Sequence, residues 1–266
     1  MSFLIDPVRP RTALNSNIVS YETSAAPTFV TFLQAGETEN VAFDAGTGAG
    51  RVLIVCVIWQ NRGQDVTGVT YNSVAMTSVA AKVDETILSG HVFRLANPAS
   101  GSNTIAVTMA SNGISDSFGA IAAWVANTVD GTTPVDGFQS GTGTGTGANI
   151  VSQPSAAITS AVGDRIVVFN AITSDTATRS ATPTNYTERQ DSNDGASFSV
   201  EFGDADGAAS VSPSATWNSV GGESIHWISL GFNVNASGAA GRTTKNTRPF
   251  PLGRALGIQR GVVGNL

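Results

Sequence analysis

The 266-residue sequence is poor in charge, cysteine and histidine. Charged side chains make up 13% of the residues, about half the share typical of globular proteins. Cys56 is the only cysteine, so an internal disulfide is excluded, and its apolar surroundings, RVLIVCVIW, predict a buried thiol. His91 and His226 are the only histidines. Disulfide scaffolds are therefore excluded.

Long apolar runs and helical periodicity are also missing. No stretch approaches the roughly 20 apolar residues of a membrane helix. The start of the chain, MSFLIDPVRPRTAL, has an acid and two prolines where a signal peptide needs an apolar core, so we do not expect Sec-dependent export. We expect neither a membrane nor a nucleic acid as a partner.

Candidate catalytic residues are few. A nucleophile elbow, G-x-S-x-G, is absent. His91 and His226 each share a strand face with apolar side chains, which favours packing over catalysis. A glycosidase needs two facing carboxylates, and an acidic chain offers chance pairs. We therefore predict no enzyme, no catalytic residue, no metal and no cofactor. The acids nearest to strand ends are Asp116, Glu188, Asp191, Asp194 and Glu201.

Four loop-like motifs resemble ligand-binding loops. DSNDG (191–195) and GDADG (203–207) alternate carboxylates as calcium loops do, but neither continues to the acid at the twelfth position, so we predict turns. GTGTGTG (141–147) and GTGAG (46–50) are not followed by Lys-Ser/Thr and lead into strands. We predict flexible loops there rather than phosphate sites.

The four tryptophans are candidates for stacking on sugar rings. Trp59, Trp124 and Trp227 lie in apolar stretches, which predicts core positions. Trp217 follows a stretch containing Pro213, which suggests the edge of a sheet. Trp217 is therefore the best candidate for an exposed aromatic side chain.

Strand patterns dominate the remaining sequence. TIAVTM (104–109) and SFSVEF (197–202) alternate large apolar and smaller or polar residues, which predicts strands with one buried and one outer face. VLIVCVIW (52–59) and RIVVFNAI (165–172) are continuously apolar, as in central strands covered on both faces.

The same order of segments occurs twice: a long strand, a hairpin around an asparagine, a strand, a turn rich in glycine and alanine, a strand and a closing strand. We therefore predict an all-β fold, an antiparallel jelly-roll-like β-sandwich spanning 27–236. Two similar halves, 27–134 and 135–236, would pack face to face. We predict that residues 1–26 form an N-terminal arm and lead-in, and that residues 237–266 form a basic, glycine-rich C-terminal arm.

Six segments stand out along the chain: RVLIVCVIW, VTGVTYNSVAMT, VFRLANPASGSNTIAVTM, VDGTTPVDG, GTGTGTG and GDRIVV. Together they resemble a recurrent jelly-roll-like β-sandwich module of tailed-phage virion proteins and bacterial surface proteins. The resemblance implies a scaffold and a habitat rather than a chemistry. One departure is Ser73, which stands where the module has a turn glycine, so a tight type I′ turn is not expected after Asn72.

Charge is distributed unevenly along the chain. Residues 18–237 contain seven basic and 19 acidic residues, a net charge of −12. Residues 238–266 contain five basic residues and no acid. This segment has no strand or helix periodicity and cannot bury its apolar side chains alone. We predict that it binds neighbouring subunits; a solvated linker is the alternative. The predicted anchors are Arg242, Lys245, Arg248, Leu252, Arg254, Leu256, Ile258 and Arg260.

Together, the resemblance and the arms predict a non-enzymatic structural protein of a tailed-phage virion. Its most specific form is a capsid cement or decoration protein, a homo-oligomer with a trimer as the hypothesis, whose partners are the major capsid protein or other virion proteins. One alternative is a tail or fibre component, either structural or a carbohydrate-binding adhesin. Another is a bacterial surface adhesin, which the missing signal peptide disfavours.

Overall fold

The computed structural model describes residues 18–32, 37–60, 65–110, 117–146, 149–174, 179–218 and 224–238. Over these residues the chain forms antiparallel strands and contains no helix, so the predicted all-β sandwich class is confirmed. The predicted arm residues from Arg242 to Arg260, and residues 1–17 of the N-terminal arm, lie outside the described residues.

Eighteen strands in the described part of the chain form four sheets. The strands of the first half are β1 (Ser20–Phe32), β2 (Thr38–Asp44), β3 (Val52–Gln60), β4 (Val66–Tyr71), β5 (Val74–Ala75), β6 (Thr77–Ser78), β7 (Val83–Asp84), β8 (Leu88–Ala96), β9 (Ser102–Met109) and β10 (Ser117–Asn127). The strands of the second half are β11 (Val135–Gly145), β12 (Ile150–Ser152), β13 (Arg165–Ser174), β14 (Ala181–Thr184), β15 (Thr187–Asn193), β16 (Phe198–Asp206), β17 (Ser214–Trp217) and β18 (Ile225–Val234).

Each half consists of an inner and an outer sheet. The first half has an inner sheet of order β1-β10-β3-β8, extended by β6 and β7, and an outer sheet of order β2-β9-β4-β5. The second half has an inner sheet of order β11-β18-β13-β16-β15 and an outer sheet of order β12-β17-β14. When the strands of each half are numbered from its own start, the two halves have the same strand order in their sheets, and this order is that of a jelly roll. The fifth strand differs, because it is broken into β5, β6 and β7 in the first half and is continuous as β15 in the second.

The central strand β3 shows how the sheets stack. Ile54 and Cys56 belong to a core shared with the second half, where they lie in one cluster with Phe169. Val55 and Trp59 point the other way, into a core with the first half's own outer sheet. Since β13 is likewise covered on both sides, the molecule has four layers: outer, inner, inner, outer. The two continuously apolar segments are central strands, as predicted.

Two predicted strand patterns have different outcomes. Along β9, Ile105 and Val107 are buried whereas Thr104 is exposed, so the predicted alternation is confirmed. Along β16 the prediction of an outer face is wrong, because Ser199 and Glu201 are fully buried. The reason is the outer sheet of the second half, which covers the face that carries these polar side chains.

The hairpin between β4 and β5 is tight. Tyr71 pairs with Val74 across a two-residue loop. Asn72 and Ser73 have φ angles of 49° and 64°, and positive φ at both central residues is what a type I′ turn requires. The expectation that Ser73 would prevent such a turn is therefore wrong. A short polar side chain is tolerated in this region of φ, although less well than glycine.

The two ends of the described body meet. Near the start, Ser20 pairs with Asn127. Near the end, the Ser237 amide donates to the Thr128 carbonyl oxygen at 2.7 Å. We call this end of the molecule, around residues 127–129, the arm pole. The opposite end, where the Gln60 amide donates to the Thr173 hydroxyl at 2.9 Å, is the far pole.

Candidate functional site

A buried ionic cluster joins the two halves near the arm pole. The Asp204 side chain is fully buried and accepts hydrogen bonds from Arg165 Nε at 2.7 Å, Arg189 Nε at 2.8 Å and the indole of Trp124 at 2.9 Å. Arg189 also lies over the ring of Tyr21, 4.1 Å from its centroid. Trp124 and Tyr21 belong to the first half and Asp204 to the second, so the cluster fixes one half on the other.

This cluster includes one of the two motifs that resemble calcium loops and that were predicted to be turns. Residues 203–206 of the GDADG motif lie in β16, not in a turn, so that prediction is wrong. In the other motif, the Asp194 carboxylate accepts backbone hydrogen bonds from Ala196, Ser197 and Phe198 at 2.9–3.0 Å, which makes it the predicted turn. Across the described ranges, no three His, Cys, Asp or Glu side chains are grouped to hold a metal ion.

A row of polar side chains crosses the inner sheet of the second half. Asp191 pairs with Glu201, Glu201 with Asn170, and Asn170 with Ser229 on four neighbouring strands. Glu201 Oε2 accepts hydrogen bonds from the Tyr186 hydroxyl at 2.6 Å and the Asn170 amide at 3.0 Å. Burial raises the pKa of Glu201 to about 8, although these two hydrogen bonds lower it.

The structure brings three of the sequence-predicted acids together in this row or beside it. The negative charges of Glu188 and Asp191 contribute to the raised pKa of Glu201. Glu201 itself is covered by the outer sheet and has no exposed surface, so it does not face a groove as a glycosidase carboxylate must. Asp194 is in the turn described above, and Asp116 lies outside the described residues.

The two histidines make separate, local contacts. His91 Nε2 lies 2.7 Å from the Ser78 hydroxyl and 3.1 Å from the Ala80 carbonyl oxygen. His226 Nδ1 lies 3.1 Å from both carboxylate oxygens of Glu85, across the junction between the halves. Both rings are partly buried and hydrogen-bonded, as predicted for packing residues. Burial lowers the pKa of His91.

The GTGAG motif is a loop, as predicted, and its backbone binds an anion from within the chain. The amides of Thr47 and Gly48 donate to Glu22 Oε1 at 2.9 and 3.0 Å. On the other side, the Arg51 guanidinium donates to the carbonyl oxygens of Ala45 and Gly46 at 2.7 and 2.6 Å. These loop amides therefore bind a carboxylate of β1 rather than a phosphate.

The tryptophans differ from the prediction in one respect. Trp59 and Trp124 are fully buried, as predicted. Trp217 is also fully buried, and its indole donates to the Ser152 hydroxyl at 2.8 Å, so the prediction of an exposed side chain is wrong. Pro213 precedes β17 instead of interrupting it, and β17 is the central strand of its sheet. Trp227, predicted to be in the core, is only partly buried.

Trp227 lines a cleft between the two halves, with a volume of about 360 Å³. The first half contributes β7. The second half contributes the middle of β11, the segment after β12, and Trp227 at the start of β18. The lining residues are Val83, Asp84, Ser140, Gly141, Thr142, Gln153, Pro154, Ser155 and Trp227. The cleft combines one aromatic ring with hydroxyl, amide and carboxylate groups, and the size is within the range of small-molecule sites, about 300–1,000 Å³.

Gly141 and Thr142 of the GTGTGTG motif line one wall of this cleft. The prediction of a flexible loop is wrong, because residues 141–145 belong to the edge strand β11. A Cβ atom at Gly143 would lie 2.7–2.8 Å from the indole of Trp227, and one at Gly141 would lie 2.0 Å from the Gln153 carbonyl oxygen. The glycines are therefore needed for close packing, while Thr142 and Thr144 between them are exposed.

Sequence reasoning missed the cleft residues Ser140, Thr142 and Gln153. The available signal was the alternation of glycine with threonine, which has the period of a strand whose one face is tightly packed.

In the described part of the chain, no helix is long and apolar enough to span a membrane. Comparison of the sequence and structure with family models, curated proteins and solved structures found no match.

Proposed function

We propose that this chain is a non-enzymatic structural protein of a tailed-phage virion, most specifically a capsid cement or decoration protein that attaches to the shell through its arms. The observation that carries the proposal is the meeting of both ends of the body at the arm pole. Because Ser20 and Ser237 both contact residues 127–128, the N-terminal and C-terminal arms start from one end of a compact body. One attachment end and one projecting end suit a protein that decorates a surface.

Charge supports the same interpretation. The arm from residue 238 carries five positive charges, and the body from 18 to 237 carries a net charge of −12. A like-charged body and shell would repel each other, whereas a basic arm would be drawn to an acidic shell surface. Leucine and isoleucine side chains among its glycines would supply the apolar anchors. Many such contacts over a shell would reinforce one another through avidity.

The proposal is tested by deleting residues 238–266. The described hydrogen bond between Ser237 and Thr128 is retained, so we expect the truncated body to keep its melting temperature but to bind particles weakly. The measurement is co-sedimentation with purified phage particles that lack the protein, beside the full-length chain. In a matched full-length variant, five basic residues are each replaced by Ser: Arg242, Lys245, Arg248, Arg254 and Arg260. This variant separates the contribution of charge to particle binding from that of the apolar anchors. Equal binding of truncated and full-length protein would contradict attachment by this arm.

Copy number separates the shell from the tail. A cement protein is present in many copies per particle relative to the major capsid protein, whereas a tail or fibre component is present in few. We propose the shell, and a homo-oligomer with a trimer as the hypothesis. Quantitative gel densitometry of purified particles measures the copy number. Light scattering of the free protein measures the oligomeric state. A few copies per particle would contradict the shell location and favour a tail or fibre component.

A further inference from the structure

We infer that the cleft between the two halves is a binding site for a neutral saccharide, with Trp227 as the stacking platform. This inference goes beyond the proposed structural function and does not depend on it. Trp227 lies near the start of β18, whereas Val234 at the other end of β18 lies next to the arm pole. Seven residues of strand separate them by roughly 20 Å, so the cleft lies towards the far pole.

The indole of Trp227 is held in place before any ligand arrives. Its six-membered ring and Nε1 lie against the backbone of Gly143, so that a Cβ there would be 2.7–2.8 Å away. It also packs against the buried cluster of Ile172, Trp217 and Ile225. An aromatic ring that is fixed in this way loses little conformational entropy when a ligand packs on it.

The polar groups around the ring match the rim of a sugar. A pyranose has apolar C–H groups on its faces and hydroxyls around its edge. The C–H groups pack well on an indole. The sugar hydroxyls can hydrogen-bond to the hydroxyls of Ser140 and Thr142 and to the amide of Gln153. Gln153 and Thr142 are exposed at the surface, so they can reach a ligand without a rearrangement of the core.

The charge of the cleft favours a neutral ligand. Asp84 is the only charged residue among those that line it, and the Asp84 carboxylate lies 3.1 Å from Lys82 Nζ and accepts a hydrogen bond from Ser89 at 2.6 Å. An anionic sugar would find no basic side chain in the lining to pair with. A single neutral ring in a site of this kind should bind with a Kd on the order of 1 mM.

The test uses the full-length protein and saturation-transfer NMR with glucose, galactose, N-acetylglucosamine, maltose, lactose and chitobiose as probes. The first variant, Thr142→Arg, fills the cleft from an exposed strand position and removes no core contact. Its matched control is Thr144→Arg, which is exposed on the same face of β11 but does not line the cleft. A second variant, Trp227→Ala, removes the platform, with its melting temperature as the check on folding.

We expect at least one probe to bind, Thr142→Arg and Trp227→Ala to weaken that binding at least about tenfold, and Thr144→Arg to leave it unchanged. The chain without residues 238–266 should bind the saccharide as the full-length chain does, which separates this inference from the proposed attachment. Absence of binding to every probe would overturn the inference. So would equal binding, or equal loss of binding, in the two arginine variants.

Discussion

At the scale of single residues, the stability of the body depends on polar groups that the core encloses. Asp204 is the strongest case, because two arginines and an indole from both halves meet on one buried carboxylate. Two guanidinium groups together offer enough hydrogen bonds to offset the desolvation of the carboxylate. The same interaction would contribute little at the surface, where solvent screens it.

The neighbouring Asp206 provides a direct comparison. Asp206 pairs with the same Arg165, at 2.8 Å, but its side chain is 89% exposed. We expect Asp204→Ala to destabilise the protein by about 3–5 kcal/mol, because it leaves two partly buried guanidinium groups without the Asp204 carboxylate, and Asp206→Ala by less than about 1 kcal/mol. Urea unfolding followed by fluorescence measures both. Similar losses in the two variants would contradict a clamping role for Asp204.

The raised pKa of Glu201 predicts an unusual dependence of folding stability on pH. Its pKa is raised from an ordinary value of 4.5 to about 8 in the folded protein. Below 4.5 both folded and unfolded chains hold the proton, and between 4.5 and 8 only the folded chain does. Glu201 therefore makes the folded state less stable as the pH rises through this interval.

The variant Glu201→Gln cannot lose a proton, so we expect its melting temperature to fall less than that of the wild type between pH 5 and pH 8, within the interval set by the Glu201 pKa. Its amide can still accept the hydrogen bonds from Tyr186 and Asn170. Thermal unfolding followed by circular dichroism across this range measures the difference. Parallel curves for the two proteins would show that Glu201 ionises normally.

At the scale of elements, sequence patterns predicted the strands that are uniform along their length. β3 and β13 are apolar at nearly every position, because both faces of each strand are buried. β9 alternates, because one face is buried and the other is more exposed. The prediction was wrong where a second sheet covers a polar face. Ser199 and Glu201 look like surface residues because their hydrogen-bond partners come from elements distant in the chain, and local periodicity carries no such information.

The edge strand β11 shows the same limit for the candidate site. Glycine repeats are common in loops, and nothing within residues 141–147 indicates that an indole from β18 lies against Gly143. Likewise, Trp217 looked like an edge residue because of Pro213, whereas its strand β17 lies between the short strands β12 and β14. The cleft therefore could not be assembled from the sequence, since its walls come from both halves.

At the scale of the whole molecule, the contact between the inner sheets decides whether the two halves act as one body. Gly90 of β8 lies at this contact, where an added Cβ would be 2.8 Å from Leu230 Cδ1 and 2.9 Å from Ile228 Cδ1. The absence of a side chain at Gly90 allows the two inner sheets to pack closely. Larger residues there must push the halves apart or displace buried methyl groups.

We expect Gly90→Val to destabilise the protein by about 1–3 kcal/mol through overpacking. The matched control is Gly68→Val in β4, where an added Cβ meets no atom within 4 Å and where we expect a change within about 0.5 kcal/mol. Differential scanning calorimetry measures both and reports whether the halves still melt in one transition. An unchanged melting temperature for Gly90→Val would show that the junction is loose.

The meeting of both chain ends at the arm pole has a mechanical consequence. Tension that enters along one arm and leaves along the other passes through residues 127–129, where Ser20 and Ser237 are bonded to the same short segment. The load would not be carried along the long strands or across the contact between the inner sheets. If both arms attach the body as proposed, the cleft towards the far pole lies outside this path of the load.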